Sequence, residues 1–321
     1  MRIVTGTSGF AYAHWKGPFY PADLGTDAML GHYAARLPAV EINNTFYRMP
    51  RREMLAGWAA ATPPGFRFVL KASQRITHHA RLVDAGDSVR YLAGQAEALG
   101  PKLGGLLFQL PPYLRADGAD EARLAAFLAV LPPGVPAAIE FRHESWYTDA
   151  TFALLRAHGV ALVTVDWAED EDANKAAPLV ATARHAYLRL RKSRYGDDEL
   201  VGWVERLLRL GCEEAQIFFK DDDAGEAPDA AARLLRLAAR AGAEVPGPLV
   251  PFEPPAARPA TFATDAAAGV AAGPSVARAR RPARLRKAAP REAAAASAPA
   301  TERAAGATGE AGPPARPRRK R

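Results

Sequence analysis

Glu41, Glu140 and Asp166 each stand at or just past the end of a short apolar run, and cations and amides occupy equivalent places on other runs. Those companions are Asn43, Lys71, Gln109, Arg142, Arg189, Arg191 and Lys220. Two carboxylates in surroundings of different polarity split into a proton donor and a proton acceptor, the basic equipment of acid–base chemistry. Arginine adds a planar fork matched to phosphate or carboxylate. The excess of Lys and Arg over the acids points to a small anionic ligand. Glu41, Glu140 and Asp166 are therefore the candidate catalytic residues. Asn43, Lys71, Gln109, Arg142, Arg189 and Lys220, with Tyr12, His78 and Trp146, are the candidate substrate contacts. The alternative is plain ion pairing, Glu140 with Arg142 or Arg189 and Glu41 with Lys71, because buried charges need partners whether or not they react.

Aromatic residues crowd the same stretches: Tyr12, Trp15, Tyr20, Phe46, Tyr47, Trp146, Trp167 and Tyr195. Rings of this kind stack on sugars or bases, or pack loops over a core. Packing is the expectation for Trp15, Phe19 and Phe46, whereas Tyr12 and Trp146 follow the ends of runs one and five and are expected at the ligand. His78, His79 and His143 raise the question of a metal. No His-x-His or His-Glu-x-x-His spacing supports one, and the nearby cations would repel a dication. No metal is expected. Gly6-Thr7-Ser8-Gly9 lacks the third glycine of a dinucleotide fingerprint, so no cofactor is expected either. The single cysteine, Cys212, excludes an intramolecular disulfide and falls in a helix-to-strand turn, where it is not expected to react.

The elements that position these residues are legible as alternation. Apolar runs occur at Ile3–Thr5, Val40–Ile42, Phe66–Leu70, Gly105–Phe108, Ala137–Ile139, Ala161–Val165, Ala186–Leu190 and Ala215–Phe219. Short apolar runs separated by helical periodicity read as buried parallel strands. Helices are expected from Thr26 or Asp27 to Arg36, from Asp87 or Ser88 to Leu99, around Leu124–Leu131, after Thr148 to Gly159, after Asp197 to Gly211, and from about Glu226 to Ala241. Trp167–Arg184 reads as a loop with at most a short helix. The pattern predicts an α/β fold, a (β/α)8 TIM barrel, with its polar groups at the carboxyl ends of the strands, where ligands bind in such barrels.

Composition divides the chain near Pro246. Residues 246–321 hold 14 Lys and Arg against 5 Asp and Glu, leaving 28 against 30 in residues 1–245. The overall charge of +7 therefore belongs to the tail. That tail is dominated by Ala, Pro, Gly and Arg and cannot bury enough apolar surface to offset the entropy of ordering, so it is expected to be disordered. Non-specific nucleic acid is its expected partner, through counterion release. A solubilising tail without a partner is the alternative. No secretory leader and no apolar run of membrane-spanning length is read, so the expectation is cytoplasmic, without membrane association. Oligomeric state is left open.

Several motifs in order resemble the YecE-like family, domain of unknown function number 72. They are Gly6-Thr7-Ser8-Gly9-Phe10 with Tyr12, Trp15, Gly17, Phe19, Tyr20 and Pro21; Val40-Glu41-Ile42-Asn43 with Thr45-Phe46-Tyr47-Arg48 and Pro50; and Phe68, Lys71, Ile76-Thr77-His78 and Leu82. Leu103, Gln109-Leu110-Pro111-Pro112, Glu140-Phe141-Arg142-His143 with Ser145-Trp146, and Tyr187-Leu188-Arg189-Leu190 continue the likeness. Phe218-Phe219-Lys220-Asp221-Asp222 with Gly225 is similar to the closing motif, with Asp221 and Asp222 replacing its usual His and Glu. The resemblance covers roughly residues 2–240 and implies a (β/α)8 barrel. It implies no established activity.

Three function classes remain on these grounds. The first is an enzyme that uses acid–base chemistry on a small phosphate- or carboxylate-bearing substrate at the barrel mouth. The second is a nucleic-acid-processing or nucleic-acid-binding protein whose mouth receives an extruded nucleotide while the tail supplies affinity. The third is a non-catalytic ligand-binding barrel.

Overall fold

The computed structural model describes residues 1–167, 177–220 and 225–247. Within them the chain alternates strand and helix. The strands are β1 (Arg2–Ser8), β2 (Ala39–Ile42), β3 (Arg67–Lys71), β4 (Leu103–Gln109), β5 (Ala137–Glu140), β6 (Ala161–Asp166), β7 (His185–Leu190) and β8 (Glu214–Phe219). Each pairs in parallel with the next, and β1 pairs with β8, so the sheet closes as an eight-stranded barrel. All eight apolar runs lie in or overlap strands, and the predicted barrel is the observed one.

The helices are α1 (Met29–Ala34), α2 (Arg52–Ala60), α3 (Gly86–Ala96), α4 (Gly118–Ala129), α5 (Asp149–His158), α6 (Asp197–Leu210) and α7 (Ala227–Arg240). Several ends follow directly from side-chain chemistry. The Thr148 hydroxyl accepts from the Thr151 N–H at 3.2 Å and starts α5, which stops at Gly159 in the left-handed region. Glu199 accepts from the Gly196 N–H at 3.0 Å and starts α6, which stops at Gly211. Helix α2 was not read from the sequence. It buries only Leu55 and has no capping side chain, so neither stripe nor cap announces it.

Strand side chains alternate between two cores, as the period of two demands. The inner set fills the barrel with Val4, Ala39, Val69, Leu107, Ala138, Val163, Val165, Tyr187 and Phe218. The outer set, including Ile3, Val40, Phe68, Phe108, Ile139, Leu188 and Phe219, packs beneath the helices. Residues 177–184 carry no helix, in keeping with the loop expected there; 168–176 lie outside the described residues, as do the Asp221–Asp223 run and all but the first two residues of the predicted tail. No helix among the described residues is long and apolar enough to cross a membrane.

Helix α1 locks the first two strands through Tyr33. Its hydroxyl accepts from the Thr7 N–H and donates to the Ala39 carbonyl, both at 2.9 Å. Gly6 lies opposite Ala39 in the register, and a Cβ there would sit 1.8 Å from the Ala39 oxygen. Gly6→Ala should therefore push β1 off β2 and cost about 3 kcal/mol or more. Urea denaturation of the purified variant measures this, and a cost below about 1 kcal/mol would show that the β1–β2 seam can yield.

Candidate functional site

The inward register of each strand extends past its apolar residues into polar ones at the carboxyl end. Ser8, Glu41, Lys71, Gln109, Glu140 and Arg189 hold these places on β1, β2, β3, β4, β5 and β7. Asn43, Arg142, Trp167, Arg191 and Lys220 follow two residues beyond an inward position.

At the centre lies Arg189, almost wholly buried. Its Nη2 donates to Glu41 Oε1 at 2.8 Å, and its Nη1 donates to Glu140 Oε2 at 2.7 Å. One guanidinium thus bridges the carboxylates of β2 and β5. Glu41 is saturated: Oε1 also accepts from Ser8 Oγ at 2.8 Å and Asn43 Nδ2 at 3.1 Å, and Oε2 accepts from the Tyr187 hydroxyl at 2.8 Å. The Nε of Arg142 forms an ion pair with the other oxygen of Glu140. Gln109 Oε1 accepts from Arg142 Nη2 at 3.3 Å and Arg189 Nη1 at 3.4 Å, joining the two guanidinium groups.

Electrostatics follow from this packing. Burial would raise the carboxyl of Glu140, but Arg189 and then Arg142 outweigh it and hold the group below its ordinary 4.5. Burial likewise disfavours the charge on Arg189, and Glu41 and Glu140 restore it. Tyr187 is pushed up by burial and by Glu41, which keeps its hydroxyl a donor. Lys71 is pushed down to about 8, first by burial, then by Arg189, with Glu41 and Glu140 opposing and Arg142 adding to the repulsion.

The predicted residues divide on this geometry. Glu41, Asn43, Gln109, Glu140, Arg142 and Arg189 form one connected network. Lys71 joins the mouth differently from the expected pairing with Glu41. Glu41 is taken by Arg189, and the Lys71 ammonium lies 4.2 Å from the centre of the Phe46 ring. His78 meets the same ring edge-on at 5.0 Å, and its Nδ1 shares a hydrogen bond of 2.8 Å with Thr77. It sits on a single π-helical turn, Arg75–His79, a rare geometry often found at functional sites. Tyr12 lies on the rim, its hydroxyl donating to the Ser8 carbonyl at 2.6 Å. Lys220 follows β8 on the inward register.

Two expectations are corrected. Asp166 does not join the network, because Val163, Val165 and Trp167 take the inward parity of β6 and leave Asp166 on the outer one. It pairs instead with Lys192 at 3.6 Å. Trp146 is not at the opening: it is wholly buried, stacked on Phe141 at 4.8 Å, and its Nε1 donates to the Leu114 carbonyl at 2.8 Å.

Three contributors were absent from the predicted site: Tyr187, Ser8 and Trp167. Trp167 receives the guanidinium groups of Arg142 and Arg191 at 4.5 and 4.9 Å from its ring centre. Parity would have found them, since Tyr187 precedes Arg189 by two and Trp167 follows Val165 by two. Cys212 is buried, which pushes its thiol up, away from reactivity. No trio of His, Cys, Asp or Glu among the described residues is placed to hold a metal ion.

Residues 4–257 match the model of the family described as "Protein of unknown function DUF72", and the chain belongs to that family. It is similar to the UPF0759 protein YunF of Bacillus subtilis, 26% identical over 252 residues that span 68% of this chain and 89% of YunF. It is also similar to the UPF0759 protein YecE of Escherichia coli, 32% identical over 118 residues, 37% of this chain and 43% of YecE. Among solved structures, a DUF72 family protein of Thermotoga maritima aligns with a TM-score of 0.66 at 26% identity, covering 74% of this chain and 99% of that one. A DUF72 family protein of Enterococcus faecalis aligns at 0.63 and 20% identity, over 74% and 95%, a likeness of fold alone.

Arg189→Met leaves two buried carboxylates without their shared cation and should cost about 3–5 kcal/mol at pH 7. Stability contributed by Glu140 is complete above its unfolded value of 4.5 and is lost as the pH falls through its lower folded value. The deficit of the variant should therefore narrow on acidification, as protonated glutamates cease to need the cation. Urea denaturation at neutral and mildly acidic pH checks this; an equal deficit at both would locate the damage in packing rather than charge.

Proposed function

We propose that this DUF72 protein is an enzyme acting on a small anionic substrate, bearing phosphate or carboxylate, at the carboxyl end of its barrel. The observation that carries the reading is the imbalance of inward-facing charge. Lys71, Arg142, Arg189, Arg191 and Lys220 oppose Glu41 and Glu140 alone among the described inward strand-end positions, and both glutamates are already bound by Arg189. Electrostatic attraction to an anion in such a concave, partly dry site is far stronger than in bulk water.

The surroundings of Glu140 divide the acid–base work. A carboxylate held between two arginines is a poor proton donor at neutral pH, so Glu140 orients Arg142 and Arg189 toward the ligand. Glu41, enclosed by Arg189, Ser8, Asn43 and Tyr187, fixes Arg189 in the same way, and Lys71, near 8, is the group best matched to proton transfer. Sulfate, whose charge is constant over the range, should bind tightly below pH 8 and progressively less above it, as Lys71 loses its proton. Isothermal titration from pH 6.5 to 9.5 (~) measures this, alongside phosphate, phosphosugars, nucleotides and dicarboxylates. Failure of all these anions to bind at any pH would sink the reading.

A second reading has its own observation. Tyr47 and Tyr113, on the β2–α2 and β4–α4 loops, are 76% and 55% exposed at the rim. Arg81 lies 5.3 Å from the Tyr113 ring centre, and the Tyr113 hydroxyl donates to the His78 carbonyl at 3.2 Å. Exposed rings beside guanidinium groups are stacking platforms for unpaired bases. On this reading Tyr47→Ala and Tyr113→Ala each weaken binding of a single-stranded oligonucleotide by about 1–3 kcal/mol. Fluorescence anisotropy decides it. Unchanged affinity in both variants, with loss only when residues 248–321 are removed, would assign any such binding to the tail.

A further inference from the structure

Lys71 is set apart from every other mouth cation by what it lacks. It stands at the inward carboxyl end of β3, between Glu41 on β2 and Gln109 on β4. Its main chain is fixed: the single proton of the Thr45 hydroxyl is shared between the Lys71 carbonyl at 2.7 Å and the Ile42 carbonyl at 3.0 Å, tying the strand end to the turn that carries Phe46. Its ammonium lies on the face of Phe46, and among the described residues it has neither a carboxylate nor a hydrogen-bond acceptor. The reason is local. Glu41 is filled by Ser8, Asn43, Arg189 and Tyr187, and Glu140 by Arg189 and Arg142. The Lys71 Nζ is also absent from the fully enclosed polar atoms, so it can be reached from the opening.

A permanent charge without a paired carboxylate in a largely desolvated position is an expensive arrangement. The same arrangement suits a neutral amine, and an amine desolvated beside other cations is an activated nucleophile. We propose that Lys71 forms a covalent imine with the carbonyl carbon of an aldehyde- or keto-bearing anion. The ligand class rests on the anionic-substrate reading above; the nucleophile rests on the placement of Lys71 alone. The lowering of Lys71 to about 8 supplies a substantial neutral fraction near physiological pH.

The chemistry balances without an oxidant or reductant. The Nζ lone pair attacks the carbonyl carbon, and the C–O π pair moves onto oxygen. That oxygen gains a proton as Nζ loses one, giving a carbinolamine. Expulsion of the hydroxyl with a second proton releases water and leaves a C=N bond. On this proposal His78, which meets the edge of the Phe46 ring that carries Lys71 on its face, relays these protons. Burial, with the charges of Lys71, His79 and Arg142, pushes its imidazole down and keeps it neutral and able to accept.

The test is reductive trapping on the full chain. Protein is incubated with glyoxylate or glycolaldehyde phosphate at a series of pH values, pulsed with borohydride and mapped by mass spectrometry. The expected product is a secondary amine on Lys71. It should form about tenfold faster than at Lys192, whose amine is raised by Glu199, and faster still as the pH rises through 8. Sulfate should slow it, and Lys71→Arg should abolish that adduct alone. Labelling that spreads evenly over exposed lysines, or that spares Lys71, overturns the proposal. Sulfate binding with no Lys71 adduct would leave Lys71 as an anion contact and keep the anionic-substrate reading. Equal trapping of neutral glycolaldehyde, with no anion bound at any pH, would remove that reading and keep the imine.

Discussion

The guanidinium of Arg189 between Glu41 and Glu140 is the interaction on which the carboxyl end of the barrel depends. Three charges have been taken out of water on β2, β5 and β7, and none could remain there singly. Desolvating each would cost several kcal/mol (~) without a partner. The bridge answers this with two short nitrogen–oxygen contacts, one to each carboxylate, and Ser8, Asn43, Tyr187 and Gln109 add further hydrogen bonds around them. Because β2, β5 and β7 are spread around the barrel, the bridge also spans its bore. It caps the apolar interior of Val69, Leu107, Val165 and Phe218 with a layer of paired charges.

The bridge has a consequence for everything above it. By consuming both inward glutamates it leaves no unpaired acid at the described inward strand-end positions. Arg142, besides its pair with Glu140, and Arg191 meet the face of Trp167, and Lys71 meets the face of Phe46. A quadrupole attracts a cation but satisfies none of its N–H donors. A ring face therefore leaves the Lys71 ammonium with donors that a ligand could still use. Structural pairing and function are thus not rivals here. The pairing of two acids creates the surplus of cations.

Much of the fold was legible because strand and helix periods differ and the caps are chemically explicit, as at Thr148, Gly159 and Gly211. Helix α2 was not, since a single buried Leu55 leaves no stripe to count. The site was legible at the strand ends, where Glu41, Gln109, Glu140, Arg142 and Arg189 were named and do meet. It failed where proximity in sequence was taken for proximity in space. Asp166 is one residue from Val165 and Trp167 and so faces the helices, bound to Lys192. Trp146 follows a strand end, yet its indole is spent on Phe141 and Leu114. Which cation pairs with which acid was also hidden, because Arg189 reaches across the barrel to a strand that the sequence places 148 residues away.

The amino end of the barrel shows why polar residues inside the bore need not make a site. Arg2, Arg67, Glu214 and Gln216 line that end, and their partners are of a different kind. Arg67 Nη1 donates to the Pro101 carbonyl at 2.8 Å, and Gln216 Nε2 donates to the Gly104 carbonyl at 3.0 Å and to Glu214 at 2.9 Å. Arg2 approaches Glu214 at 3.9 Å. The Pro101 and Gly104 carbonyls belong to the main chain and are fixed acceptors, which a ligand would have to displace to compete. Burial and the neighbouring Arg2 push Arg67 down, with Glu214 opposing, but no chemistry is accessible to a guanidinium so held. At the carboxyl end the partners of Lys71, Arg142 and Arg191 include aromatic faces on longer loops, which an anion can outbid without unfolding a turn. The two ends carry similar residue types. What separates the two ends of this barrel is that main-chain carbonyls hold Arg67 and Gln216, whereas side chains that can yield hold Lys71, Arg142 and Arg189.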